Sequence, residues 1–134
     1  MSLEILKEVL ESDPFLKYIG IKVEKISEGS CVLYMDFKQE VTRFGGMVNG
    51  GAIATLADAA GGCAALTSNL GYNEVTVDLE VTYLRPVTEG PVKAISKVIK
   101  SGKNLAYALI EVYDGKGNLC SLVKGTYFYT GPLF

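Results

Sequence analysis

From Asn49 to Leu66 the chain reads Asn-Gly-Gly-Ala-Ile-Ala-Thr-Leu-Ala-Asp-Ala-Ala-Gly-Gly-Cys-Ala-Ala-Leu. A helix of such small residues, apolar on every side, has no solvent face and must be enclosed. A membrane would enclose it, but Asp58, Asn49 and four glycines between 50 and 62 oppose that, because a central carboxylate costs several kcal/mol in lipid. The alternative is a buried rod with a sheet folded around it.

The rest of the chain supplies that sheet. Leu3, Leu6, Val9 and Leu10 recur at helical spacing, and Ser12-Asp13-Pro14 ends the pattern, so residues 3–11 are predicted to form a short amphipathic helix. Ile19–Ile26 and Cys31–Phe37 alternate around Ser27-Glu28-Gly29-Ser30, a strand, turn and strand. After a turn at 69–73, the runs 75–84, 92–99, 105–113 and 119–129 alternate and are rich in Val, Thr, Tyr and Phe. Their links are short, which implies antiparallel neighbours and one α+β domain over residues 1–134. Tyr83, Tyr107, Tyr127, Phe128 and Tyr129 are expected mostly in the core.

Composition excludes several kinds of chemistry. There is no histidine, so Ser-His-Asp, Cys-His and HExxH sites are ruled out. Thirteen basic against 15 acidic side chains leave no general attraction for nucleic acid or an anionic membrane. Cys31, Cys63 and Cys120 are odd in number and far apart, with no CxxC, so neither a disulfide framework nor a zinc site is expected. No basic region followed by an apolar run opens the chain, and the expected location is the cytoplasm.

Asp58 stands alone among alanines and glycines with no cation near it in sequence. At the helix start, Asn49 can cap, while Gly50 and Gly51 let another group approach the free N–H donors. Asp58 is eight residues beyond Gly50, about 12 Å along a helix, too far for both to act on one carbonyl from one chain. Two antiparallel central helices in a dimer would bring the start of one near the carboxylate of the other, in two equivalent sites.

The run Arg43-Phe44-Gly45-Gly46-Met47-Val48-Asn49-Gly50-Gly51, continuing to Asp58, resembles the signature of the phenylacetate-pathway type of hotdog-fold acyl-CoA thioesterases. The likeness extends through residues 76–86, Gly102-Lys103-Asn104 and Lys124–Phe128. It implies a hotdog fold, with an antiparallel sheet wrapped around a long helix, and hydrolysis of an acyl-CoA thioester with water as the only co-substrate. Within that resemblance, Asp58 matches the family's carboxylate, the Gly50 N–H its oxyanion donor, and Thr76 a hydroxyl that places water. The family has His at position 49 and commonly Asn at 43. Asn49 can donate a hydrogen bond but cannot carry a proton as imidazole does.

Arg43, Gly51, Arg85 and Lys103 are the expected substrate-binding residues, with Lys103 the best single candidate for a coenzyme A phosphate and Lys97 and Lys100 lesser ones. A solvated sheet edge would also account for any one of these lysines. No metal or cofactor is expected, and the expected assembly is a homodimer or a dimer of dimers. The rival reading is a hotdog protein that binds acyl-CoA without turnover. Whether Asp58 attacks the carbonyl or activates water stays open at the level of sequence.

Overall fold

The computed structural model describes residues 1–134. Leu3–Glu11 forms α1, whose first turn is capped by the Ser2 hydroxyl accepting the Ile5 N–H at 3.2 Å. Ser12-Asp13-Pro14 ends that helix but, contrary to expectation, also starts another, α2 (Pro14–Ile19). Asp13 Oδ1 accepts the N–H groups of Phe15 and Leu16 at 3.1 and 3.2 Å. Pro14 sits at the first helical position, where its missing N–H is not needed. Gly20, at φ 88°, closes the helix in the left-handed region.

The strands are β1 (Ile21–Ser27), β2 (Ser30–Met35), β3 (Thr42–Arg43), β4 (Met47–Val48), β5 (Tyr72–Tyr83), β6 (Val92–Ser101), β7 (Leu105–Tyr113) and β8 (Leu119–Pro132). Six of them form one antiparallel sheet in the order β1-β2-β6-β7-β8-β5, and β3 pairs with β4 alone. The sheet curls around α3 (Gly50–Ser68), which is the hotdog arrangement. The expected adjacency of β5 and β6 does not occur. The connection through residues 84–91 is a crossover, tied down where Leu84 and Arg85 donate to the Cys120 carbonyl and where Val48 donates to the Val87 carbonyl. It leaves β5 at one edge of the sheet, on β8.

Small side chains set the distance between helix and sheet. Ala57, Ala60 and Ala64 on α3 are fully buried, and Ala94, Ala106 and Ala108 are buried on the strands. Gly61 and Gly125 make room for Tyr127, because a Cβ at either would run into its ring and hydroxyl. Tyr127 donates to the Asp58 carbonyl at 3.2 Å and Tyr129 to the Ala65 carbonyl at 2.7 Å, pinning β8 to the helix.

Two further expectations are corrected. Cys31 on β2 and Cys63 on α3 are joined as a disulfide across 32 residues, with Cα atoms 6.3 Å apart, while Cys120 is buried and free. Only the wrapping of the sheet brings them together, so sequence spacing carried no sign of it. Among the strand aromatics, Tyr127 and Tyr129 are buried as expected, but Tyr83, Tyr107 and Phe128 are 41 to 52% exposed, at the edge or on the outer face of the sheet. No helix is long and apolar enough to cross a membrane.

Candidate active site

Asn49 caps α3, with its side-chain oxygen accepting the N–H groups of Gly51 at 2.7 Å and Ala52 at 3.3 Å. A Cβ on Gly51 would stand 2.9 Å from that oxygen, so glycine there keeps the cap intact. The Gly51 N–H is therefore engaged inside the chain. The Gly50 N–H has no acceptor in the chain, and the Tyr83 hydroxyl donates to the Gly50 carbonyl at 2.6 Å from the side. The helix tip thus offers one free amide at the positive end of the dipole. Asn49 keeps its amide N–H groups available, since the cap uses only the oxygen.

Asp58 lies two turns further along. It lines a cavity of about 430 Å³ with Thr55, Thr76, Gly62 and Cys63, while Leu10, Phe15, Leu16, Leu66 and Leu79 form an apolar side. Thr76 Oγ1 donates to Asp58 Oδ1 at 2.8 Å. That contact depends on a bulge in β5: Thr76 is paired with Tyr127 and Asp78 with Thr126, so Val77 is unmatched. The extra residue changes which face the side chains take. Glu74 and Thr76 look toward the helix before the bulge, and after it Leu79 and Val81 pack against the core.

Glu74 is the residue that sequence reasoning missed. Strict alternation groups Glu74, Thr76, Asp78 and Glu80 as one polar outer face, and only the bulge sends the first two inward. Its carboxyl lies over Gly62, one turn past Asp58, with Oε1 3.1 Å from where a Cβ on that glycine would be. Burial, and then the neighbouring Asp58 charge, push Glu74 up to about 7.

The other expected binding residues are not gathered around Asp58. Arg43 is exposed at the end of β3, paired with Met47 of β4 just before the helix tip, and its guanidinium is 4.1 Å from the Phe44 ring centroid. Arg85 lies on the crossover, two residues from Val87 and so near β4 and the tip. Lys103 lines a separate depression with Ser68, Asn69 and Tyr129 at the far end of α3, about 27 Å from Gly50 along the axis. No group of three or more Cys, Asp or Glu side chains could hold a metal ion.

A free amide and a hydroxyl-held carboxylate on one helix can polarise a carbonyl and accept a proton, but eight residues apart on one chain they cannot both reach a single carbonyl. A cavity with an apolar side has room for an acyl group next to the carboxylate.

The family model described as Thioesterase superfamily matches residues 45–121. A protein of Thermoplasma acidophilum, provisionally named an esterase, is 40% identical over 125 residues, 93% of this chain and 95% of that one. Human acyl-coenzyme A thioesterase 13 is 29% identical over 111 residues, 81% of this chain and 79% of its own. Among solved structures, the Escherichia coli PaaI protein from the phenylacetic acid degradation operon superposes with a TM-score of 0.87. It is 24% identical and the match covers 98% of each chain, a likeness that speaks to the fold alone.

Proposed function

Because this chain belongs to the thioesterase superfamily, we propose that it hydrolyses an acyl-CoA thioester in a site shared between two subunits of a homodimer. The observation that carries this reading is the pair of features on α3: a Gly50 N–H without an acceptor, and an Asp58 carboxylate held by Thr76 at the wall of a cavity. The acyl-CoA substrate is suggested by the thioesterase relative and by the apolar wall beside the acid.

In this scheme the Gly50 amide of one subunit, with the helix dipole behind it, donates to the thioester carbonyl oxygen and stabilises the negative charge that develops there. Asp58 of the other subunit takes a proton from water, and the water oxygen attacks the carbonyl carbon. Thr76 donates to Asp58, so its oxygen remains free to accept from that water and orient it. When the tetrahedral intermediate collapses, the carbon–sulfur bond breaks and the proton held by Asp58 passes to the departing thiolate. The products are the free acid and coenzyme A, and no imidazole is required because a thiolate leaves readily. Asn49 can add a second donor near the carbonyl oxygen. Arg43, Arg85 and Lys103 are the candidates for the coenzyme A phosphates, with Arg43 and Arg85 the better placed because both lie near the helix tip.

A second reading, acyl-CoA binding without turnover, is favoured by one feature: Asn49 stands where the resembled family has histidine. One experiment separates the two. Free thiol release from a panel of acyl-CoAs is expected with the wild type and lost with Asp58→Asn. Equal release from both proteins defeats the catalytic reading, and tight binding without release supports the second one.

A further inference from the structure

The cavity holds one acid that the hydrolytic scheme does not use. The Glu74 carboxyl faces Gly62 inside the same wall as Asp58, and nothing in the chain donates to it. The two ion pairs are Lys93–Glu24 and Lys116–Glu89, both elsewhere. The two phenols close enough to feel its charge, Tyr127 and Tyr129, give their protons to the carbonyls of Asp58 and Ala65. Water is therefore the only donor left to this half-buried carboxyl, and a ligand that fills the cavity displaces that water at a cost unless it supplies a donor of its own.

Its position gives the distance. Gly62 is four residues past Asp58, about 6 Å along the helix axis and on the same face. We infer that Glu74 is a specificity-determining residue, and that the cavity takes acyl groups bearing a hydroxyl or amino hydrogen-bond donor about one helical turn from the thioester carbonyl. This rests on the reading of the cavity as the acyl site. A plain alkyl end of equal length would strip water from Glu74 and give nothing back, so such a substrate is disfavoured, as it is wherever a site is built around a substrate's polar group.

Three acyl-CoAs of matched length provide the test: 5-hydroxypentanoyl-, 5-aminopentanoyl- and hexanoyl-CoA. For the wild type, Glu74→Leu and Glu74→Gln, kcat/KM is measured by enzyme-dependent formation of the open-chain free acid, because the hydroxy and amino thioesters also release thiol by closing a ring on themselves, and Kd by calorimetry on the thioether analogues, which cannot be hydrolysed. The wild type is expected to favour at least one polar acyl group over hexanoyl by about tenfold or more. Glu74→Leu should abolish or invert that preference, improving hexanoyl while weakening the polar substrate. Glu74→Gln guards against a folding defect in the leucine variant; it keeps an accepting oxygen without the charge, so a hydroxyl preference should survive in part and an amino preference should not. A wild type without preference, or ratios unchanged in both variants, overturns the inference. If no substrate is hydrolysed but the Kd ratios shift in Glu74→Leu, the hydrolytic reading fails and this one stands. If the free acid is formed with unchanged ratios, the reverse holds.

Discussion

Thr76 Oγ1 donates to Asp58 Oδ1 at 2.8 Å, joining an edge strand to the centre of the buried helix. The bond fixes one carboxylate oxygen and leaves the other free for water. Asp58→Asn should therefore reduce thiol release by about 10² to 10⁴, the usual range for a positioned acid or base. Thr76→Val, which keeps the shape, should lower kcat about tenfold or more with little change in KM, and Thr76→Ser should restore most of it. Steady-state kinetics on folded protein checks both. A Thr76→Val effect confined to KM would remove the hydroxyl from the chemistry.

Much of the architecture was legible beforehand because it follows from local pattern. The all-apolar rod, the first helix and the six long strands each announce themselves through periodicity or composition. What stayed hidden depends on contacts between distant residues. Pro14 reads as a terminator until Asp13 is seen capping a new helix. The crossover at 84–91 reads as a link between neighbours until its hydrogen bonds to Val48 and Cys120 are seen. Cys31 and Cys63 meet only because the sheet wraps. Glu74 was concealed by one unmatched residue, Val77, which reverses the side-chain alternation from which its orientation would be inferred.

Glu74 should make the fold less stable as pH rises from about 4.5 to about 7. Its carboxyl titrates near 4.5 when unfolded and is pushed up to about 7 in the fold, first by burial and then by Asp58 on α3. Tyr127 and Tyr129 face it from β8, and Asp13 lines the same cavity from the α1–α2 junction. Between those two pH values the folded protein keeps a proton that the unfolded chain releases. Stability is thus fully present below about pH 4.5 and is lost as pH rises through about 7, by about 3 kcal/mol. Glu74→Gln removes this titration, so melting curves should show the variant gaining more than about 5 °C on the wild type between pH 4.5 and 8. A constant difference across that range would mean that Glu74 is solvated.

Gly61→Ala tests the packing that brings Tyr127 beneath Asp58. A Cβ at 61 overlaps the Tyr127 hydroxyl and ring and stands 3.0 Å from Ile110 Cδ1. Both Tyr127 and Ile110 are fully buried, so the clash is expected to destabilise the fold by about 1–3 kcal/mol in urea. Adding Tyr127→Phe removes one overlapping atom and should recover part of that loss, although alone it gives up the hydrogen bond to the Asp58 carbonyl and costs about 1 kcal/mol. The coupling is read from a double-mutant cycle, and strict additivity would show that the two residues do not touch.

The proposed division of the site between subunits gives the sharpest prediction, and the local backbone makes the necessary substitution possible. Gly50 is the first residue of α3, where proline is favoured, and Asn49 before it has φ −61° and ψ 133°, an extended conformation that tolerates a following proline. Gly50→Pro therefore deletes the free amide while the helix start is retained, with Tyr83, 3.3 Å from the new Cβ, giving way by a few tenths of an ångström. Gly50→Ala, which meets Tyr83 in the same way but keeps the N–H, is the control. Gly50→Pro should lose about 10² to 10³ in kcat, the value of one oxyanion donor, and Asp58→Ala should be inactive. Unfolding the two inactive variants together and refolding them at equal amounts makes half the dimers mixed. In each mixed dimer one site has both substitutions and the other has neither, so about a quarter of wild-type activity should return. If both groups served the same substrate from one chain, every site would carry a defect and mixing would return nothing.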